Sequence, residues 1–121
     1  LQRLLVIIGG YVKEGSLDKI VETDIEFHDL LYHAARNSRL VGIISNLRDQ
    51  LTRFRTLSMS YPGRLEETIE EHRLIVEAIA QGDCKAARRA AKRHMENSEK
   101  TLMLAMESRK KQEMEAKRKE E

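Results

Sequence analysis

Four residues of this chain carry side chains that bind metal ions or protons and recur at spacings a helix would use: Asp24, His28, His72 and His94. Asp24 and His28 are one helical turn apart and so project from the same face. Stepping out from them by three and four gives Leu17, Val21, Asp24, His28, Leu31 and Ala35. The two polar groups therefore interrupt an otherwise apolar, core-facing stripe. Polar groups in that position need partners. His72 precedes Gly82 by ten residues and His94 follows Asp83 by eleven. At about 1.5 Å per residue, both lie roughly 15 Å from that turn, level with each other on an antiparallel helix pair.

Three imidazoles and one carboxylate make an N3O donor set suited to zinc, nickel, iron or manganese, with zinc the leading expectation. An ion that accepts five or six ligands would keep positions for water or an exogenous carboxylate, so the site would be both a structural staple and a receptor. The competing explanation is a metal-free core in which the histidines hydrogen-bond one another. His33 lies five residues beyond His28, hence about 140° around the helix, and reads as a surface or outer residue. A carboxylate beside a metal needs cationic or hydrogen-bonding groups. Arg48, Arg53 and Arg55 are the candidates, with Thr52 on the same helix and Asn97 one turn after His94. Glu71 is adjacent to His72 but points about 100° away, so it is expected behind the ligands at most.

The elements that must position these groups are helices. Hydrophobic residues make up 40% of the 121 positions, Trp is absent, Pro occurs once, and Leu, Ala, Glu, Arg and Lys dominate, a profile of helix formers rather than strand formers. Spacing predicts helices over about 1–13, 16–36 and 38–58, a fourth that ends at Gly82-Asp83, and a last one from about 84. Gly9-Gly10 weakens the first of these. Ser16 and Asp83 are the expected N-caps, and Tyr61-Pro62-Gly63 is the strongest turn signal. Leu40, Ile43, Ile44, Leu47, Leu51 and Phe54 form the apolar face of the third helix. Residues 1–106 read as one ligand-binding domain and 107–121 as a charged helical extension or tail.

The net charge of +2, with both signs interspersed, gives no reason to expect nucleic-acid binding by this chain itself. Cys84 is the sole cysteine, so no intrachain disulfide forms and a cytoplasmic setting is expected. The longest apolar run, Leu4 to Ile8, is far short of the roughly 20 residues of a membrane span.

Asp24-Ile25-Glu26-Phe27-His28-Asp29-Leu30-Leu31, followed by Ala34-Ala35-Arg36-Asn37 and Leu40, resembles the D-x-x-F-H-x-x-L…A-A-x-N-x-x-L segment of the FCD domain, the FadR C-terminal type of effector-binding domain in GntR-type bacterial transcription regulators. Gly63-Arg64, Glu71-His72-Arg73, Ile75, Ala78-Ile79, Gly82-Asp83, Ala86-Ala87 and His94 resemble its E-H-x-x-I-x-x-A-I…G-D-x-x-A-A…H pattern. The resemblance covers about residues 4 to 105. It implies an all-α antiparallel bundle, a metal held by Asp24, His28, His72 and His94, and a small carboxylate effector such as a sugar acid or an intermediate of central metabolism. It also implies a homodimer whose DNA binding resides in a winged helix-turn-helix domain absent from this sequence. The family's first effector-domain helix is missing as well, leaving an open side that a partner chain would cover. The rival to this sensor is a small helical-bundle metalloenzyme acting on a carboxylate. Against it, the Glu-x-x-His pairs of di-iron bundles, His-Glu-x-x-His and G-x-S-x-G are all absent.

Overall fold

The computed structural model describes residues 1–120. They form six helices: α1 (Gln2–Glu14), α2 (Leu17–Ala34), α3 (Ser38–Asn46), α4 (Arg48–Met59), α5 (Arg64–Ala80) and α6 (Cys84–Glu120). No strand occurs among the described residues, so the all-α expectation holds. The helix boundaries follow from residue chemistry. Gly15 ends α1 at φ 71°, and its amide and that of Ser16 bond back to Val12 and Tyr11. Ser16 precedes α2 as expected, although its hydroxyl makes no capping bond. Arg36 takes the left-handed conformation at φ 54°. Asn37 then caps α3 by accepting from the Leu40 amide at 3.0 Å.

The single helix expected over 38–58 is two helices. Leu47 sits at φ −98°, ψ 2°, in the sparsely populated bridge region, and its amide bonds to Ile44 three residues back. Neither Pro nor Gly marks the break. The residues that lead into it, Ser45 and Asn46, are weak helix formers that compete for their own backbone, and Asp49 favours the positive N-terminal end of α4. The break lets α3 lie against α2 while α4 runs along both α2 and α6. Leu40, Ile43, Leu47 and Phe54, from the expected apolar face, stay exposed.

The α5–α6 hairpin is the most extensive packing in the molecule, and its turn is specified residue by residue. The Gly82 amide donates to Ile79 and the Asp83 amide to Ala78, each at 3.0 Å. This is the paired bonding of a Schellman motif, which requires the left-handed conformation that Gly82 adopts at φ 69°. Asp83 then accepts from the Ala86 amide at 3.0 Å and opens α6. That helix continues through the expected boundary at 106/107. Residues 107–120 form its exposed end, and Glu121, the last residue of the expected extension, lies outside the described residues.

Ile8, Ile20, Val21 and Met59 form the apolar core, with Tyr11, Val12, Leu17, Ile25, Leu65 and Ile69 packed against it. Among the described residues, nine buried hydrophobic residues are matched by ten buried polar ones. The interior is therefore divided between an apolar region and a polar one, and α2, α5 and α6 supply most of the latter.

Glycine substitutions separate the backbone effects from the packing ones. A Cβ at Gly10 or at Gly82 would meet nothing within 4 Å. Gly10→Ala, in mid-helix, is expected to stabilise the protein by about 0.5–1 kcal/mol. Gly82→Ala, at positive φ, is expected to destabilise it by about 1 kcal/mol. Chemical denaturation reads both, and equal effects of the same sign would refute the assignment.

Candidate metal centre

His72 of α5 and His94 of α6 meet as the hairpin register requires, with Nε2 atoms 3.3 Å apart. From α2, Asp24 Oδ1 lies 3.6 Å from His28 Nε2 and 3.5 Å from His72 Nε2. The ligating atoms of His28, His72 and His94 all fall within 4.8 Å of one another. All four residues are buried, Asp24 to 1% and His72 to 0% exposure. The turn spacing within α2 and the matched depth on α5 and α6 thus bring His28, His72 and His94 together, with Asp24 beside His28 and His72.

A tetrahedral site with bonds of about 2.0–2.1 Å places neighbouring ligand atoms roughly 3.3 Å apart. Three of the six separations, 3.3, 3.5 and 3.6 Å, lie within a few tenths of an ångström of that value, while the histidine nitrogens as a set are held within 4.8 Å, so a bound ion would draw them closer. Asp24 Oδ1, moreover, has no hydrogen-bond partner. Buried carboxylate oxygens without a donor are costly, and an oxygen that instead faces imidazole nitrogens at these distances has the environment of a metal ligand. A divalent transition metal therefore fits the residues present.

The protonation states suit the same role. Burial pushes His72 down to about 3 even though the Asp24 carboxylate acts to raise it. Burial likewise lowers His94, opposed by its hydrogen bond to Glu71. Both are neutral imidazoles at neutral pH, the form that binds metals. At Asp24, burial acts to raise the carboxyl, but His28, His72 and Arg55 outweigh it and hold it below the usual carboxylate value. The His72 ring is fixed by Phe27, stacked against it at 4.1 Å with the planes 8° apart. His72 Nδ1 has no hydrogen-bond partner.

Glu71 lies behind His94. Its carboxylate accepts four hydrogen bonds: from Arg64 Nη1 at 2.9 Å, Arg64 Nη2 at 2.7 Å, His94 Nδ1 at 2.7 Å and Asn97 Nδ2 at 2.8 Å. Burial acts to raise its carboxyl, but these donors hold it below the usual value. An ionised carboxylate can only accept, so His94 Nδ1 carries the proton and His94 Nε2 presents its lone pair to the cluster. Arg64, 2% exposed, also donates to Ser98 Oγ at 2.8 Å. Sequence reasoning assigned Arg64 no role in the site. The available signal was its spacing: Arg64, Thr68, Glu71 and Ile75 share one face of α5, which puts opposite charges two turns apart on a core-facing stripe.

The expected effector-binding residues do not all gather here. Arg55 does: its Nε lies 3.6 Å from Asp24 Oδ2 and its Nη2 donates to Tyr32 Oη at 3.2 Å. It lines a cavity of about 450 Å³ that opens beside Asp24, His28 and His94. Arg48 is exposed and paired with Asp29 at 2.7 Å on the surface. Arg53 is exposed, and the Thr52 hydroxyl donates to the Arg48 carbonyl. None of these three lines that cavity. Arg53, two residues from Arg55, lies about 160° around α4. Arg48 and Thr52 share the Arg55 face at i, i+4 and i+7 but lie two turns and one turn back along the axis, where Arg48 meets Asp29 rather than Asp24. Asn97 reaches the site only through Glu71. His33 bonds to the Asp29 carbonyl at 2.8 Å, away from the cluster.

The FCD domain family model matches residues 1–97. No curated protein and no solved structure matches the chain.

Arg64→Met, which strands the Glu71 charge, is expected to destabilise the protein by about 3–5 kcal/mol. Adding Glu71→Gln, which removes that charge, is expected to recover part of the loss. Urea denaturation of the two single variants and the double variant measures this, and strictly additive losses would show that the pair is not coupled.

Proposed function

The chain belongs to the FCD domain family, the effector-binding domains of GntR-type transcription regulators; on that premise, we propose that it senses a small carboxylate through a divalent transition metal, zinc before nickel, iron or manganese. Asp24, His28, His72 and His94 would hold the ion. The observation that carries this reading is Asp24 Oδ1, buried without a hydrogen-bond donor yet within 3.6 Å of two histidine nitrogens. A bound metal supplies a Lewis-acidic position for a carboxylate oxygen. Arg55 binds the same carboxylate from α4, and Tyr32 holds the guanidinium in place.

A receptor is favoured over a catalyst by what the two buried carboxylates beside the histidines already do. Asp24 faces the histidine nitrogens, and Glu71 accepts four hydrogen bonds, so neither is free to act as a general base. Effector occupancy would bias how a dimer presents DNA-binding domains that lie outside this sequence. The dimer belongs to the same reading, supported by Leu40, Ile43 and Leu47, which remain 43%, 55% and 43% exposed on one side of the bundle. No helix among the described residues is long and apolar enough to cross a membrane, and a cytoplasmic regulator accords with that.

Protein purified without chelator or metal-affinity tag should carry close to one equivalent of transition metal per chain by elemental analysis. His72→Ala and His94→Ala should lower metal content and melting temperature together. Metal at about 100 times its Kd stabilises the native state by roughly 2.7 kcal/mol, an increment both variants should lose. Unchanged metal content in both, or no stabilisation of the wild type by added Zn²⁺, Ni²⁺ or Mn²⁺, would leave a metal-free bundle.

A further inference from the structure

The cavity beside the histidine cluster carries information about the kind of acid it takes. Cations are scarce on its walls once their partners are counted. Arg64 reaches the lining, but its guanidinium is committed to both oxygens of Glu71 and to Ser98. Lys92 stands at the rim, 3.8 Å from Glu96 and largely exposed. Glu99 joins it there, so the mouth holds one cation against two anions. Arg55 also has partners, Tyr32 Oη and Asp24 at 3.6 Å, but its Nε makes no hydrogen bond to Asp24, and it is the lining cation directed toward the histidines. A single carboxylate is satisfied at this end, whereas a second or third would extend toward Glu96 and Glu99 and be repelled.

The rest of the wall is apolar. Leu51, Phe54, Met59, Met95 and Leu102 line it, and of its four hydroxyls Tyr32 and Ser98 already accept from Arg55 and Arg64, which leaves Ser58 and Thr68. A polyhydroxy acid would bring hydroxyl groups against methyl, thioether and phenyl surface with too few partners to replace water. An apolar body of ordinary metabolite size would remove that surface from water, and the volume of about 450 Å³ lies within the usual range for small-molecule sites.

We infer that the effector is a monocarboxylate with an apolar body, such as an aryl-substituted or branched-alkyl acid, rather than a sugar acid or a di- or tricarboxylate. The inference rests on the carboxylate-receptor reading above and adds the chemistry of the remainder of the molecule. Arg55 meets the carboxylate, the α4 and α6 side chains enclose the apolar part, and Glu96 and Glu99 reject additional negative charge.

Isothermal titration of the zinc-loaded chain with acetate, 3-phenylpropionate, 4-methylpentanoate, gluconate and citrate tests this. The two apolar acids should bind about tenfold or more tighter than gluconate or citrate. Phe54 is 47% exposed, so Phe54→Asn should preserve the fold while weakening 3-phenylpropionate by about tenfold and leaving acetate unchanged. Arg55→Met should weaken every acid. Gluconate or citrate binding as tightly as the apolar acids would overturn the inference and leave the receptor reading standing. If no acid binds the zinc-loaded chain, the receptor reading fails and the inference falls with it. Should Phe54→Asn alter the sedimenting mass and none of the affinities, the apolar wall is a contact between copies of the chain, and the inference is likewise wrong.

Discussion

Asp24 is almost completely withdrawn from solvent, and one of its oxygens has no hydrogen-bond donor although imidazole nitrogens lie within 3.6 Å. A carboxylate left in that state is expensive, and much of the architecture can be understood as what makes it tolerable. α2 provides Asp24 and His28 from one face. The α5–α6 hairpin brings His72 and His94 to the same depth, and α4 delivers Arg55 to the other carboxylate oxygen. The proposed metal-ligand role would resolve the remaining oxygen, whose separations of 3.5 and 3.6 Å from imidazole nitrogens are close to those between ligands of one ion.

The outer layer is held as tightly as the inner one. Glu71 uses its whole acceptor capacity on Arg64, His94 and Asn97, and in doing so selects the His94 tautomer whose Nε2 is free to bind. Arg64 in turn spans from the start of α5 to Ser98 of α6, so the pair ties the hairpin together at the point where it contributes His72 and His94. Satisfied networks of this kind rigidify a site, whereas a half-broken one leaves a buried charge unpaired. The polar interior thus has two linked parts: a cluster of Asp24 and three histidines open to a cavity and a closed ion-pair network that fixes its geometry.

Much of this was legible in the sequence because helix periodicity converts directly into position. Asp24 and His28 had to share a face, and the distances of His72 and His94 from Gly82-Asp83 determined their level on the hairpin. Placement along a helix axis was less legible. Arg48, Arg53 and Arg55 were equivalent as residue types; periodicity turns Arg53 away from the other two, but only the break at Leu47, which no Pro or Gly announces, sets Arg55 level with Asp24 and Arg48 level with Asp29. Arg64 was hidden for a different reason. An arginine beside a turn ordinarily points to solvent; its spacing to Glu71 on one face of α5 was the available signal, but its full burial also depends on His94, Asn97 and Ser98 arriving from α6.

Zinc-edge X-ray absorption of the metal-loaded protein tests the metal centre most directly, since it counts and identifies the atoms around the ion. The structure predicts imidazole scattering from three histidines together with an oxygen, all at about 2.0–2.1 Å, and a loss of one imidazole in His94→Ala. A first shell at about 2.3 Å typical of sulfur, or a shell of oxygen alone without imidazole scattering, would contradict it.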